Sequence, residues 1–396
     1  MNEERVASFP IGAAATIEEL ERDPHPLLAR LREREPVSWL PALDGWLVTR
    51  RDLALEVMRD AETYTVDDPR FSTGRVVGSS MLSLDGAEHA RHRDPFARPF
   101  RLDAVRARFE GFVGAEVDRL LAAIEPRGQA ELRRSLAGPL SVAAMVQALG
   151  LDEDDSAEVL GWYDSIVAGV TSITAGQTAE PAAAEAFERL RVSVERAFGR
   201  DPDSSLVAAA AADGDGLSEG EVVSNAAVLL FGGIETTEGM IANAILHVLE
   251  SREQRDLLER DPALVGAAVE ESLRLEPAAA VVDRYATRSV ELAGARIEER
   301  ELVTVSLAGA NRDPAVFEEP DRFDVLRENA RLHVTFAQGP HVCIGMHLAR
   351  LEAQVALGRL LARLPGVRLD PERPSAARGL VFRKPPTLWA RWDALG

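Results

Sequence analysis

The chain has 396 residues, of which 46% are hydrophobic and 28% are charged. This ordinary globular mixture excludes a disordered or collagen-like chain, and the length allows a large buried core. The 45 basic and 65 acidic residues give a net charge of −20, which argues against nucleic-acid binding and against docking on anionic membranes.

The single cysteine, Cys343, excludes an intramolecular disulfide framework and favours a reducing compartment. The first residues carry acidic side chains and no apolar run of the kind found in signal peptides. The longest apolar stretch, residues 226–234, is far shorter than the ~20 residues that a membrane-spanning helix needs. We therefore expect a cytoplasmic protein without membrane contact.

The first 85 residues predict short secondary-structure elements, both helices and strands. Residues 17–22 have helical spacing after a capping Thr16, and a second helix is predicted from Pro26 to about residue 34. Residues 37–39 and 46–48 predict two strands joined by a hairpin turn, followed by a helix over 51–59. Residues 65–83, rich in Gly, Ser, Asp and Pro, predict a long loop of the kind that often forms a lid.

Residues 86–275 have helical periodicity almost throughout, with interruptions at 126–129, 174–181 and 213–216. Ser218 and Glu221 form a capping-box pattern that opens an apolar helix, which is predicted to be central and buried. Short strands are predicted at 281–287, 290–292 and 302–307, then irregular chain over 311–345 and a helix over 346–364. The outline is a mainly α chain with a minor β portion (α+β), forming one domain over residues 1–396.

The cysteine lies in the segment Phe336-Ala-Gln-Gly-Pro-His341-Val-Cys343-Ile-Gly345, directly before the last predicted helix. A helix N-terminus stabilises a thiolate, and a glycine lets a flat ligand approach the backbone. The residues alone leave two alternatives open. One is a buried structural cysteine, and the other is a metal site of His341, Cys343 and His347, which has no fourth ligand nearby.

This segment resembles the haem-binding loop of the cytochrome P450 family, Phe-Gly/Ser-x-Gly-x-His/Arg-x-Cys-x-Gly, with Ala337 as a mild departure expected to have little effect. The resemblance covers about residues 10–392 and implies the P450 fold, with haem b between a long central helix and the cysteine loop. It implies that Cys343 is the thiolate ligand of the iron and that Phe336 and Gly345 contact the cofactor. Thiolate ligation favours O–O cleavage.

A second motif lies inside the apolar helix, Phe231-Gly232-Gly-Ile-Glu235-Thr236-Thr. Glycines inside a helix cost ~1 kcal/mol each, and a buried acid is unfavourable unless it is satisfied. Thr236 follows Gly232 by four residues, so its hydroxyl can bond that carbonyl and bend the helix. A kinked core helix is the alternative. The two glycines, Gly232 and Gly233, are expected to leave a groove over a ligand. The segment resembles the family's oxygen-activation motif, which implies that Gly232 lies at the cofactor, Glu235 helps deliver protons and Thr236 holds oxygen and water.

Other matches to the family concern support of the cofactor. Glu271 and Arg274 share a helix face, and such a pair is usually a weak surface bridge. The resemblance implies instead that they join Arg322, from Pro-Asp-Arg-Phe, in a buried network under the haem loop. It also implies four partners for the haem propionates, each of which alone would be an ordinary surface residue: His89, Arg93, Arg284 and His341.

Six arginines lie between residues 91 and 108, against only Asp94 and Asp103. In the family this region lies on the cysteine side of the haem. We therefore expect an acidic ferredoxin, or a flavodoxin, to dock there and to pass on electrons from an NAD(P)H-dependent reductase. The alternative is a solvated helix face.

Together these matches imply a monomeric, bacterial-type haem-thiolate monooxygenase, with Glu235 and Thr236 catalytic, that inserts one atom of O2 into a small hydrophobic or aromatic substrate. The alternatives are a haem-thiolate enzyme with other chemistry (desaturation, coupling or nitration) and a haem protein that binds a ligand without turnover. The family's topology implies that mostly apolar side chains line the substrate pocket: Val77, Met81, Ile166, Val170, Leu230, Ile234, Ala280, Val281 and Phe382.

Overall fold

The computed structural model describes residues 2–151, 156–174, 181–212 and 216–393. It opens with short helices, which are α1 (Asn2–Ser8), α2 (Pro10–Ala13), α3 (Ile17–Arg22) and α4 (His25–Arg34). The Thr16 hydroxyl accepts a hydrogen bond from the Glu19 N–H and caps α3 as predicted. Pro26 occupies the first turn of α4, where its missing N–H has no effect on helix hydrogen bonding.

The strands come from both ends of the chain. They are β1 (Val37–Leu40), β2 (Gly45–Val48), β3 (Tyr64–Thr65), β4 (Gln129–Glu131), β5 (Val281–Ala286), β6 (Val290–Leu292), β7 (Ala295–Ile297), β8 (Leu302–Ser306), β9 (Arg368–Leu369) and β10 (Trp389–Arg391). The largest sheet has the order β1–β2–β8–β5–β3, in which only β2 and β8 are parallel. A second sheet has the order β4–β10–β9, and β6 pairs with β7.

The predicted hairpin between β1 and β2 is confirmed. Val37 pairs with Val48 and Trp39 with Trp46. Asp44 in the connecting turn has a φ of 48°, in the left-handed region that short polar residues tolerate. Both strands are buried along their whole length, which anchors the sheet against α5 and the cysteine segment.

Helices make up most of the remainder. They are α5 (Arg51–Arg59), α6 (Ser72–Val77), α7 (Gly86–Ala97), α8 (Leu102–Ile124), α9 (Gly138–Leu149), α10 (Ser156–Thr174), α11 (Pro181–Arg196), α12 (Leu206–Ala212), α13 (Glu219–Glu250), α14 (Arg252–Arg260), α15 (Val265–Leu275), α16 (Leu307–Ala310) and α17 (Met346–Arg363). The prediction of an unbroken loop over 65–83 is wrong, because α6 lies within it. Its residues bury Val77 in the main core although their polar composition suggests a loop.

The central helix is α13, whose 32 residues span about 48 Å at 1.5 Å per residue. Ser218 and Glu221 form the predicted capping box at its start, with both reciprocal hydrogen bonds present. Most of its side chains are buried, and it packs against α9, α11, α15 and α17. No helix within the described ranges is long and apolar enough to cross a membrane.

Candidate active site

The cysteine segment is held in an irregular turn between the sheet and α17. The Cys343 N–H donates to the Phe336 carbonyl over 2.8 Å, closing the loop. Gly339 has a φ of +75°, and a β-carbon there would lie 2.5 Å from the Met58 carbonyl oxygen, so only glycine fits between the loop and α5. Ala337 also has a positive φ, 58°, which costs an L-residue about 1–2 kcal/mol. This is the physical cost of the departure from glycine, and it applies equally to the serine that the family pattern allows here.

The thiol of Cys343 faces an internal space. Its side chain keeps exposed surface, yet surrounding atoms bury the site deeply enough to raise the pKa of the thiol. Backbone N–H groups of Gly345 and Met346, at the start of α17, and the guanidinium of Arg93 act in the opposite direction and lower that pKa. They would stabilise a thiolate, which is the form that ligates a metal.

Two buried side chains, His89 and Arg284, could bind an anionic ligand. Burial, followed by the charges of His341 and Arg93, lowers the pKa of His89 to about 4, and its Nε2 has no hydrogen-bond partner among the described residues. Arg284 on β5 is 4% exposed, and its guanidinium bonds only the carbonyl of Asp283, at 2.7 Å, within the described part of the chain. A guanidinium buried without a carboxylate is unfavourable unless an anion reaches it.

The other two predicted propionate partners lie close to this pair. His341 stacks beside His89, with ring centroids 4.3 Å apart, but its Nε2 lies 2.7 Å from an Asp85 carboxylate oxygen. Only the other ring nitrogen of His341 is therefore available to a ligand. Arg93 donates to the Val342 carbonyl at 2.6 Å, one residue from the cysteine. Arg93 and His341 thus lie in or beside the cysteine segment, His89 contacts His341, and the charge of Asp85, the partner of His341, acts on Arg284.

On α13, Gly232 and Thr236 form the predicted helix-distorting pair. The Thr236 hydroxyl donates to the Gly232 carbonyl over 2.6 Å. A β-carbon at Gly232 would meet no atom within 4 Å, so this side of the helix is open. Gly233 has a different role, because a β-carbon there would lie 2.2 Å from the Met145 sulfur on α9. The second glycine of the motif therefore permits close helix packing and does not widen the space beside Gly232.

Glu235 is engaged by side chains that sequence reasoning missed. Lys384 Nζ lies 2.7 Å from its Oε1, and the Tyr163 hydroxyl of α10 donates to its Oε2. Lys384 also pairs with Glu238, which is held from the other side by Arg133 at 2.9 Å. The sequence offers one signal for this contact, which is that Lys384 is its single lysine.

Most of the predicted pocket residues lie together. Phe382 contacts Phe231 of α13 edge-on, with ring centroids 5.5 Å apart. Val170 has a side chain outside the described residues. Five other predicted side chains are buried in the same core cluster as the apolar face of α13: Val77, Met81, Ile166, Leu230 and Ile234.

One of the predicted pocket residues belongs to another apolar cluster. Ala280 packs with Leu20 and Leu28 of the N-terminal helices, apart from the core beside α13. The prediction for Ala280 is therefore wrong in the described structure, and Ala278, two residues earlier, lies in the core cluster beside α13 instead. Val281, at the start of β5, also contacts a small cavity beside Ala280, and its place in the substrate pocket stays a prediction.

The predicted support network exists but uses a different arginine. Glu271 and Arg274 are fully buried and bond bidentately, at 2.7 and 2.8 Å. The second carboxylate partner is Arg327, at 2.9 Å, whereas the Arg322 side chain is 54% exposed and pairs with Glu319. The prediction of Arg322 is wrong because only its backbone carbonyl enters the network, accepting from Arg274 and Arg327.

Glu270, the neighbour of Glu271, supports the cysteine segment directly. Arg350 of α17 bonds it bidentately, at 2.6 and 3.0 Å, and His333 lies 3.2 Å from Oε2. Burial alone would raise the pKa of Glu270, but the hydrogen bonds from His333 and Arg350 outweigh it and lower the pKa to about 2. The Arg350 guanidinium lies 4.4 Å from the centroid of Phe336, so the ion pair also fixes the start of the loop.

These residues fit haem b. Cys343 can supply a thiolate, His89 and Arg284 offer buried groups that lack an anionic partner, and Gly232 leaves one side of α13 open. The alternative of a site formed by His341, Cys343 and His347 is not supported. Across the described ranges, no group of three or more His, Cys, Asp or Glu side chains is arranged to hold a metal ion.

Comparisons with known proteins agree with this geometry. Residues 177–389 match the family model described as Cytochrome P450. The chain is 36% identical to nocardicin C N-oxygenase of Nocardia uniformis, over 97% of this chain and 98% of that protein. It is also 36% identical to the cytochrome P450 monooxygenase PikC of Streptomyces venezuelae, over 88% of this chain and 85% of that protein. The crystal structure of CalO2, 30% identical, superposes with a TM-score of 0.88 and covers 96% of this chain and 100% of that one.

These relatives include proteins named as a monooxygenase and as a hydroxylase. The fold that this chain shares with the solved structure is mainly α with a minor β portion. This chain is an oxygenase whose cofactor is haem b, and it belongs to the cytochrome P450 family.

Proposed function

We propose that this enzyme hydroxylates or otherwise oxygenates a small hydrophobic or aromatic molecule, with electrons delivered from NAD(P)H through a ferredoxin and its reductase. The balanced reaction is RH + O2 + NAD(P)H + H⁺ → ROH + H2O + NAD(P)⁺. Haem b, when bound, supplies the chemistry that activates O2. The observation that supports the proposal is the pair of buried side chains His89 and Arg284, neither of which has a carboxylate at hydrogen-bonding distance among the described residues, near the cysteine segment that Arg93 contacts.

The chain's own residues have separable roles in this proposal. Cys343 holds the iron, while His89, Arg93, Arg284 and one nitrogen of His341 hold the propionates. The carbonyl of Gly232 fixes the Thr236 hydroxyl proton, so its oxygen lone pairs are free to accept a hydrogen bond from water on the open side of α13. Glu235 would supply protons from the outer side of the same helix.

The substrate class is inferred from the residues that we expect to line the pocket. Val77, Met81, Ile166, Leu230 and Ile234 are all buried and apolar, and such a lining would exclude water from the reacting centre. Relatives are named for vitamin D(3), nocardicin C and 20-oxo-5-O-mycaminosyltylactone, so kinship does not single out a substrate. The apolar character of these side chains instead favours a hydrophobic substrate.

The docking surface for the electron donor is narrower than the run of six arginines. Arg91 is paired with Glu221, Arg93 points to Val342, and Arg108 bonds a backbone carbonyl. Three other arginines of the run are exposed and lie near the exposed Leu102 in sequence; they are Arg98, Arg101 and Arg106. A β-carbon at Gly345 would lie 3.9 Å from the ring of Phe100, so this segment of the run passes close to the cysteine loop.

The first test is the absorption spectrum of the reduced protein with carbon monoxide. We expect a strongly red-shifted Soret band that Cys343→Ala abolishes. A band at the position of histidine-ligated haem, or folded protein that takes up no haem, would overturn the proposal. For the electron donor, Arg98→Glu and Arg101→Glu should slow ferredoxin-driven NAD(P)H oxidation and flatten its salt dependence. Insensitivity to both charge reversal and salt would refute the docking surface.

A further inference from the structure

A buried ionic network connects Glu235 to the protein surface. Lys384 bridges Glu235 and Glu238, at 2.7 and 2.5 Å, and is itself only 11% exposed. Glu238 is anchored by Arg133, which also bonds the Pro386 carbonyl beyond Lys384. The two carboxylates are three residues apart on α13 and share one face of the helix.

Both oxygens of Glu235 are engaged, and by different parts of the chain. Oε1 is bonded by Lys384, in the C-terminal segment that pairs with Arg378, and Oε2 accepts from Tyr163 of α10. Burial, together with the negative charge of Glu235, raises the pKa of Tyr163, so the phenol stays protonated and donates. These two contacts fix the orientation of the Glu235 carboxylate.

Lys384 offsets the negative charge of two neighbouring carboxylates, Glu235 and Glu238. Both glutamates also raise the pKa of the exposed Asp164, to which burial contributes most and on which Arg134 acts in the opposite direction. Without Lys384, the two glutamates would face each other with only Arg133 nearby on Glu238. One would then take up a proton or move, because like charges on a buried helix face repel strongly.

The outer end of the network opens to solvent. Lys384 and Arg133 line a surface groove of about 460 Å³, together with Arg378 and Phe382. The same Phe382 contacts Phe231 on α13, so one aromatic side chain touches both the groove and the central helix. The ammonium group of Lys384 therefore lies between bulk water and the carboxylate of Glu235.

We propose that Lys384 is a positioning residue for proton supply: it holds the Glu235 carboxylate in a fixed position between the surface groove and α13. This inference rests on the proposed function, because it assigns Glu235 its role in O2 activation. Tyr163 acts as the second clamp on the same carboxylate. Loss of the lysine would leave haem binding intact and would impair the protonation that carries O2 to water and product.

The test compares Lys384→Met with Lys384→Arg, which keeps the charge, and with the control Arg378→Met. Arg378 lines the same groove but bonds only the backbone of Arg22 among the described residues. No substrate is needed. NAD(P)H oxidation with ferredoxin and reductase yields either peroxide, O2 + NAD(P)H + H⁺ → H2O2 + NAD(P)⁺, or water, O2 + 2 NAD(P)H + 2 H⁺ → 2 H2O + 2 NAD(P)⁺.

We expect Lys384→Met to shift the ratio of water to peroxide toward peroxide by roughly tenfold, which is less than the 10²–10⁴-fold typical for loss of a proton-transfer group, because Glu235 itself remains. Lys384→Arg should restore most of the ratio, and Arg378→Met should match the wild type. The solvent deuterium isotope effect on NAD(P)H oxidation should change only in Lys384→Met. An unchanged ratio and isotope effect in Lys384→Met would overturn the proposal.

A second readout needs no turnover. Because Lys384 is the single lysine, acylation by an amine-selective reagent can be followed by mass spectrometry, with the N-terminal amine as internal reference. Glu235→Gln should speed acylation of Lys384 severalfold, whereas equal rates in the two proteins would refute the ion pair. The carbon monoxide spectrum of each variant separates failure of this inference from failure of the proposed function, since only the latter removes the red-shifted band.

Discussion

The adjacent glycines of α13 provide a sharp test of the packing around the site. Gly232 and Gly233 are equivalent in sequence, but a β-carbon at Gly232 would meet nothing within 4 Å, whereas one at Gly233 would lie 2.2 and 2.7 Å from Sδ and Cγ of Met145. Met145 is 3% exposed, so its side chain has little room to withdraw. The same substitution to alanine should therefore have opposite effects at the two positions.

The expected magnitudes follow from two opposing terms. Alanine in a helix interior is favoured over glycine by about 0.8–1 kcal/mol, so Gly232→Ala should raise the free energy of unfolding by up to that amount. Gly233→Ala gains the same term but overpacks the α9 interface, which typically costs about 1–3 kcal/mol. We therefore expect Gly233→Ala to be less stable than Gly232→Ala by about 1–3 kcal/mol, which is a few degrees in melting temperature.

The assay is urea and thermal unfolding of the haem-loaded variants, with Met145→Ala and the double variant Gly233→Ala/Met145→Ala completing a cycle. Relief of the clash should give a coupling energy of about 0.5–3 kcal/mol in favour of the double variant. Gly232→Ala should fold well yet lose activity, because its methyl group would occupy the open side of the helix. If Gly233→Ala equals Gly232→Ala in stability, the assignment of Gly233 to helix packing is refuted.

Three further changes test the scaffold around the cysteine. Arg327→Met should destabilise the protein by about 3–5 kcal/mol, because it leaves the buried charge of Glu271 less compensated. Arg322→Met should change the stability by under about 1 kcal/mol, because its ion pair is exposed. Equal effects of the two variants in urea titrations would refute the assignment of Arg327 as the partner of Glu271. Glu270, with its lowered pKa of about 2, should contribute up to roughly 3 kcal/mol above pH 4.5 and lose it as the pH falls toward 2. Glu270→Gln should flatten that part of the stability curve, and an unchanged slope would count against the assignment. Gly339→Ala should cost at least about 3 kcal/mol through backbone strain and overlap, visible as loss of haem incorporation, and full incorporation would contradict the loop geometry.

Much of the fold could be predicted from local pattern. The caps at Thr16 and Ser218, the hairpin at Asp44 and the buried helix α13 each depend on residues a few positions apart, and each is confirmed. The helix α6 was missed because its stability comes from burying Val77 in the main core, which no local pattern of Gly and Ser residues reveals. Tertiary burial overrides weak propensity in this segment.

The site was predictable where a motif fixes the spacing and not where distant segments meet. Cys343 and the Gly232–Thr236 hydrogen bond are local, so they followed from short segments. The exchange of Arg322 for Arg327 depends on how the irregular chain after α16 folds back onto α15, over a separation of 56 residues from Glu271. Lys384 meets Glu235 from 149 positions away, and only the tertiary fold brings the two together.

The residues of the α13 motif lie on three different faces of the helix. At 3.6 residues per turn, Gly232 and Thr236 face the open side, Gly233 faces Met145 on α9, and Glu235 faces Lys384. Each face therefore meets a different element and can be changed separately. A substitution at Gly233 should alter stability with little effect on the water-to-peroxide ratio, whereas one at Lys384 should alter that ratio with little effect on packing. If both properties moved together in both variants, the faces would act as one unit, and Lys384 would be part of the scaffold instead of the proton supply.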